Sequence, residues 1–406
     1  MKHPVRYLMV LPTILIINTS CQNENHNLMG TYGYDKKFFE DQNIDFIDLG
    51  ENDDPARLLV VPAYQGRVMT STAGGDKGMS YGWINYSFIE SRKQDPQINV
   101  YGGEERFWLG PEGGPYSIYF KPGAQQVFEN WVVPPVIDTE YFDVVKSDSR
   151  HAEFVKNTVL TNALGTEFHV GIRRTVSLLP MNSVSALLGV DIPAGLQGVA
   201  YQTENIIQNT GDAPWTKETG LLSIWLLCMF NPTPATTVFI PYQEEGEGVI
   251  VNDDYFGKVP SDRLIIDNGT IYFKIDGKFR SKIGLPYHRA TSLCGSYDSE
   301  KMVLTLLWCS IPVEPEPYVN SKWGDQEDPY NGDVINSYND GPVEDGSIMG
   351  PFYEIETSSP GAALLPSETL KHTQRIVHFQ GDEADLSKIV SALFNLNLDD
   401  IINKFQ

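Results

Sequence analysis

Short alternating or continuous apolar runs, cut every few residues by Gly, Pro, Asn or Asp, are what most limits the folds open to this chain. Leu58–Val61 and Gly66–Thr72 flank the turn Pro62–Gln65. Trp83–Ile89, Glu105–Leu109, Tyr116–Phe120, Phe142–Ser147, Glu153–Thr161, Glu167–Leu179 and Val184–Ile192 follow in the same manner. Gln202–Asn209 leads into the hairpin-type turn Asn209-Thr210-Gly211-Asp212. Leu221–Phe230 is nearly continuous apolar, the pattern of a strand buried on both faces. Val238–Pro241, Gly248–Val251, Thr270–Phe273, Met302–Ser310 and Thr373–Phe379 extend the series. The 35 Gly and 26 Pro are spread as turn punctuation, with no low-complexity linker and no fixed repeat. One segment reads as helical. Asp382, Glu383 and Asp385 suit a helix start, and Leu386, Ile389, Val390, Leu393 and Phe394 share one face. About twenty strands and one helix predict an all-β chain, a large two-sheet antiparallel sandwich with a C-terminal helix capping a sheet edge.

The N-terminus reads as a targeting segment. Lys2 and Arg6 precede the apolar Tyr7–Ile17, which is too short to span a bilayer. Asn18-Thr19-Ser20-Cys21 has the small residues and cysteine of a bacterial lipobox, with Asn18 at the place where Leu is usual. The expected organisation is a lipoprotein signal peptide over 1–20, lipidation at Cys21, a polar tether over 21–35 and a single domain over 36–406. The protein would then sit in the cell envelope, on the periplasmic side or the outer surface of the outer membrane, held only by its lipid. The formal charge is −23, and cleavage before Cys21 removes Lys2 and Arg6 but no acid. Such a balance argues against nucleic acid and against adsorption to anionic lipid, and is compatible with neutral sugars. Cys228, Cys294 and Cys309 are odd in number and irregular in spacing, so no disulfide framework or metal motif is implied. No cofactor is expected.

Candidate chemistry lies in a few segments. In Phe352-Tyr353-Glu354-Ile355-Glu356-Thr357 a period of two places Glu354 and Glu356 on one strand face. Adjacent acids repel unless they meet water, a cation or a polyhydroxy ligand. Arg106 and Trp108, before the turn Gly110-Pro111-Glu112-Gly113-Gly114, likewise share a face. An indole offers a platform for a sugar's C–H face and a guanidinium donates forked hydrogen bonds; the alternative is a buried Trp with Arg106 satisfied by an acid such as Glu112. Arg67 follows an early hairpin turn, where a surface or ion-paired role is usual. Arg173 and Arg174 point to opposite faces of one strand, and the choice between them stays open. His288 and Arg289 lie in a loop beside Tyr287 and could bind an anionic or polyhydroxy ligand, or be merely exposed. Asp325–Asp345 reads as a solvated acidic loop without the spacing of a calcium loop, placing Asp340 at the rim of a cleft.

Two of these segments carry a resemblance. Glu356-Thr357, Leu365-Pro366-Ser367-Glu368 and His378-Phe379 occupy the places of the C-terminal signature of the galactose mutarotase (aldose 1-epimerase) superfamily. Gly102–Gly114 resembles its Gly-Glu-x-x-Trp-x-x-Pro-Glu-Gly-Gly stretch. More narrowly, the chain resembles an uncharacterised family of Bacteroidota lipoproteins with that fold. The resemblance implies a β-supersandwich, a carbohydrate ligand in a cleft on one sheet, and Glu356 as a sugar-facing carboxylate. The superfamily's Asn-His-x-Tyr-Phe-Asn-Leu run is not matched at Thr219–Trp225. An epimerase of this type would take Glu356 as general base and His288 as the substitute acid. Ligand contacts would come from Arg67, Arg106, Trp108, Glu112, Arg289, Glu354 and Asp340. A structural envelope protein without sugar binding is the third alternative.

Overall fold

The computed structural model describes residues 28–343 and 345–406; the expected signal peptide, Cys21 and the start of the expected tether, 21–27, lie outside them. Three antiparallel sheets form the domain. The largest has ten strands, running edge to edge through Leu264–Asp267, Thr270–Lys274, Thr236–Pro241, Leu293–Asp298, Val303–Cys309, Thr369–Gln380, Gln197–Asn209, Glu167–Leu179, His151–Thr161 and Asp143–Ser147. A five-stranded sheet runs Ser281–Pro286, Asp333–Asn339, Tyr353–Ser358, Ser223–Phe230, Arg106–Gly110. Ile47–Leu49, Arg57–Val61 and Arg67–Thr72 make the third, joined to the second where Val68 bridges Glu105.

The five- and ten-stranded sheets pack face to face. Phe107, Leu109, Leu226, Cys228, Ile283, Ile335 and Ile355 fill one side of the shared core, and Val176, Tyr201, Ile207, Leu307 and Ile376 the other. Ser223–Phe230 is buried at every position, as its apolar run predicts. The reason is that loops cover the outer face of the five-stranded sheet. Cys228, Cys294 and Cys309 are buried free thiols.

Several expectations need correction. Val184–Ile192, read with the strands, is mostly covered by the helix Met181–Leu188, and Trp83–Ile89 runs into the helix Tyr86–Ser91. The C-terminal helix, Glu383–Phe394, caps the sheet's outer face rather than its edge: Leu386, Ile389 and Val390 pack with Phe239, Leu304, Leu306, Val377 and Phe379. A helix at Tyr32–Asp41, capped by Thr31, starts inside the stretch assigned to the tether. Its buried side is Tyr32, Asp35, Phe38 and Phe39, and Asp35, satisfied by Ser80 and Tyr86, breaks the apolar stripe that periodicity detects. The supposed acidic loop Asp325–Asp345 contains the fully buried strand Asp333–Asn339. Its Asn336, Ser337 and Asn339 find hydrogen-bond partners inside, so burial here leaves no apolar signature.

Candidate functional site

On Tyr353–Ser358 the alternate residues Tyr353, Ile355 and Thr357 point into the sandwich, so Glu354 and Glu356 point outward together. Register then supplies their neighbours. Glu356 stands opposite Asn336 on one side and Leu227 on the other, and Leu227 stands opposite Arg106. Glu354 stands opposite Tyr338, which stands opposite Lys282. Trp225 faces Trp108. Residues from five strands thus converge on one outer patch.

The patch is buried beneath loops: Glu356 is 0% exposed, Glu354 5% and Arg106 6%. Tyr255 covers it from one side, its hydroxyl accepting from Asn336 Nδ2. Glu112 closes another, accepting from Trp323 Nε1 at 3.1 Å. That closure explains a glycine of the motif, because a Cβ on Gly113 would sit 2.3 Å from the Lys322 carbonyl oxygen.

Arg106 Nη2 donates to Glu354 Oε1 at 2.8 Å, and its guanidinium lies 4.3 Å from the centre of the Trp108 ring. Lys282 Nζ and Trp225 Nε1 both donate to Glu356 Oε2, at 2.8 and 2.9 Å. The other oxygen, Glu356 Oε1, is buried and has no partner among the described residues; nor have Arg106 Nε, Trp108 Nε1 and Trp131 Nε1. Each such group costs about 1–3 kcal/mol when nothing answers it. Around them runs an aromatic belt, with Trp108 edge-on to Trp225 at 5.6 Å, then Tyr119, Trp131 and Trp323 in succession.

Charge states follow from this crowding. Burial pushes the Glu354 carboxyl up to about 7, against the pull of Arg106 and with the push of Glu356. Burial also raises Glu112, which Lys282 partly offsets. Burial alone would lower the Lys282 ammonium, but the Glu356 and Glu112 carboxylates outweigh it and hold it above its ordinary value. The patch therefore holds a firmly charged Lys282 and, near neutral pH, a Glu354 that can give or take a proton.

Of the residues expected from sequence, Arg106, Trp108, Glu112, Glu354 and Glu356 are brought together here. Arg67 approaches them from the third sheet, one residue beyond the Val68–Glu105 bridge and near enough for Arg106 to act on it through space. Asp340 does not: Tyr338 Oη donates to one oxygen and the Gly350 amide to the other, so it closes a turn. His288 and Arg289 do not either. Arg289 donates to the carbonyls of Gln243, Glu244 and Gly248, and the imidazole packs against Gly248 in the same loop. That correction removes the histidine acid. Among the described residues Glu356 has no hydrogen bond to a histidine, and His372 and His378 are engaged between the sheets. Sequence reasoning missed Lys282, Trp225, Tyr255 and Trp323. Only Trp225 left a signal, an indole N–H within an otherwise apolar strand, which needs an acceptor when buried.

Fold and site together define an antiparallel all-β sandwich with a charged, tryptophan-lined patch on the outer face of its smaller sheet. The chain belongs to a family of unknown function (DUF6786), matched over residues 30–405. Among solved structures it is similar to the Slr1438 protein of Synechocystis sp. PCC 6803, at 13% identity over 82% of this chain and 96% of that one, with a TM-score of 0.49. It is also similar to a galactose mutarotase-like protein of Lactobacillus casei, at 10% identity over 82% and 100% of the two chains, with a TM-score of 0.45. A galactose mutarotase related enzyme of Lactobacillus acidophilus aligns at 7% identity over 84% and 99%, with a TM-score of 0.45. No curated protein matches in sequence.

Proposed function

We propose that this protein binds a carbohydrate on the outer face of the five-stranded sheet. The observation that carries the reading is the set of unpartnered buried atoms, Glu356 Oε1, Arg106 Nε and Trp108 Nε1, gathered beside indole rings. A sugar ring supplies hydroxyl donors, hydroxyl acceptors and an apolar C–H face at once. Water could answer the polar atoms but leaves the rings without a purpose. Saturation-transfer NMR of a panel of mono- and oligosaccharides is expected to show binding. Glu356→Gln should weaken it about 10- to 100-fold, the worth of a hydrogen bond to a charged group. Absence of binding across the panel would leave a structural envelope role in the lead.

A second reading has one observation in its favour. An aldose 1-epimerase needs a base and an acid at the sugar, and Glu354 with its raised pKa stands beside Glu356. Both carboxyls rise from one strand, which favours binding over a two-sided proton relay. Anomerisation of freshly dissolved α-sugars, no faster with protein than without, would remove the enzyme reading and leave binding intact.

The proposal includes export and anchoring through Cys21, resting on the basic, apolar and small-residue order of 1–21. Cys21→Ser should move the full-length protein from the membrane to the soluble fraction. Retention of the variant in the membrane fraction would count against the anchor.

A further inference from the structure

Arg67 is 1% exposed, and none of its hydrogen bonds goes to an acid. Its Nη1 donates to the Gly102 carbonyl at 2.8 Å and its Nη2 to Gln65 Oε1 at 3.0 Å, and both acceptors are neutral. Nε has no partner among the described residues. Asp138 is the acid near enough to act through space on both Arg67 and Arg106, and its oxygens are occupied by the Asn99 amide and side chain. The rings of Tyr64 and Tyr101, 5.9 and 5.8 Å away, complete its surroundings.

Its other neighbour makes matters worse. Val68 and Glu105 exchange both backbone hydrogen bonds, so Arg67 and Arg106 sit on adjoining strands one residue beyond that bridge. Like charges on adjoining strands repel, and here both are buried. Burial and then Arg106 lower the Arg67 guanidinium to about 10. Arg106 has Glu354 on one nitrogen, but its Nε is also unpartnered. Two buried guanidiniums on adjoining strands thus each keep an unpartnered Nε–H, in a protein whose formal charge is −23.

We infer that the carbohydrate bound at this patch carries a carboxylate, as a uronic acid does, and that the carboxylate lies against Arg67 and Arg106. The inference rests on the sugar-binding reading above and narrows it. A neutral hydroxyl could accept from one of the two N–H groups but would leave the repulsion between the cations. One carboxylate offers two oxygens for the two donors and one negative charge between them. A phosphate monoester carries up to two charges and three oxygens, more than the unpartnered N–H groups can match.

The test is a titration of the mature chain by NMR or calorimetry with paired glycosides: methyl galacturonide against methyl galactoside, methyl glucuronide against methyl glucoside. Galactose 6-sulfate and uronate-bearing against neutral oligosaccharides complete the panel. The expected result is that a uronate form binds at least about tenfold more tightly than its neutral partner. The preference should weaken with salt and disappear in Arg67→Met. Neutral partners binding equally well or better would overturn the inference while leaving sugar binding in place. A sulfate ester binding more tightly than the uronate would overturn it too, as would a preference that survives in a folded Arg67→Met. Binding to no sugar at all would take the parent reading down with it. If Arg67→Met does not fold, the wild-type comparison still decides.

Discussion

Replacing Arg174 by methionine is expected to lower the unfolding free energy by about 3–5 kcal/mol, the cost of leaving a buried charge without its partner. Arg174 and Glu105 are both fully buried between the sheets, 2.8 Å apart. The guanidinium also donates to the Gly66 carbonyl and to Asn205 Oδ1, so its loss orphans three acceptors at once. Glu105 is answered at both oxygens, since Gln374 Nε2 donates to the second at 2.7 Å. No atom of this pair is left over for a ligand. Its role is to lock the third sheet and the two sandwich sheets in one register. Adding Glu105→Gln to Arg174→Met removes the uncompensated charge while keeping an acceptor for Gln374, and should recover at least half of the loss. Urea unfolding followed by tryptophan fluorescence measures both. A single variant within about 1 kcal/mol of wild type, or a double variant no better than the single, would refute this account.

The contrast between the two faces of the five-stranded sheet shows how far the sequence could be read. Period two alone paired Glu354 with Glu356 and Arg106 with Trp108, and put Arg173 and Arg174 on opposite faces. It could not say which face was inside. The structure settles that choice: Arg174 enters the core, and Arg173 pairs with Glu153 on the outside. The C-terminal helix was legible because its apolar stripe is unbroken, whereas Tyr32–Asp41 hides a buried Asp35 in its stripe. Lys282 was invisible for a different reason. Nothing near it in sequence marks it, and it reaches Glu356 only because Ser281–Pro286 pairs with Asp333–Asn339, a strand whose polar residues disguised it as a loop. Local pattern assigns faces, and only strand order assigns neighbours. His288 shows the converse error, since suitable chemistry in a loop says nothing about which loop it packs against.

Lys282→Met should separate the site from the scaffold. The lysine is the cation at Glu356, and its removal leaves that buried carboxylate with the Trp225 N–H as its one partner among the described residues. The expected loss is about 3 kcal/mol, at the lower end for a broken buried pair because the side chain is 12% exposed. The loss should depend on pH, with a sign that can be worked out. Lys282 favours the ionised forms of Glu354 and Glu112, both already held above their ordinary range by burial. Without it their folded-state pKa values rise further. A carboxyl raised in the folded state contributes stability that is present below its unfolded value, near 4.5, and lost as the pH rises through its folded value. The deficit of Lys282→Met relative to wild type should therefore be smallest near pH 4.5 and grow towards pH 8. His372, buried and held neutral, has the opposite slope, but it is common to both proteins and cancels in the difference. Binding provides the second readout. Arg174→Met, where it folds, should keep its sugar affinity, whereas Lys282→Met should lose it even at pH 5, because Glu356 is no longer held in place by its cation. A pH-independent deficit would disprove the electrostatic account of the patch, and undiminished sugar binding by Lys282→Met would move the ligand elsewhere on the protein.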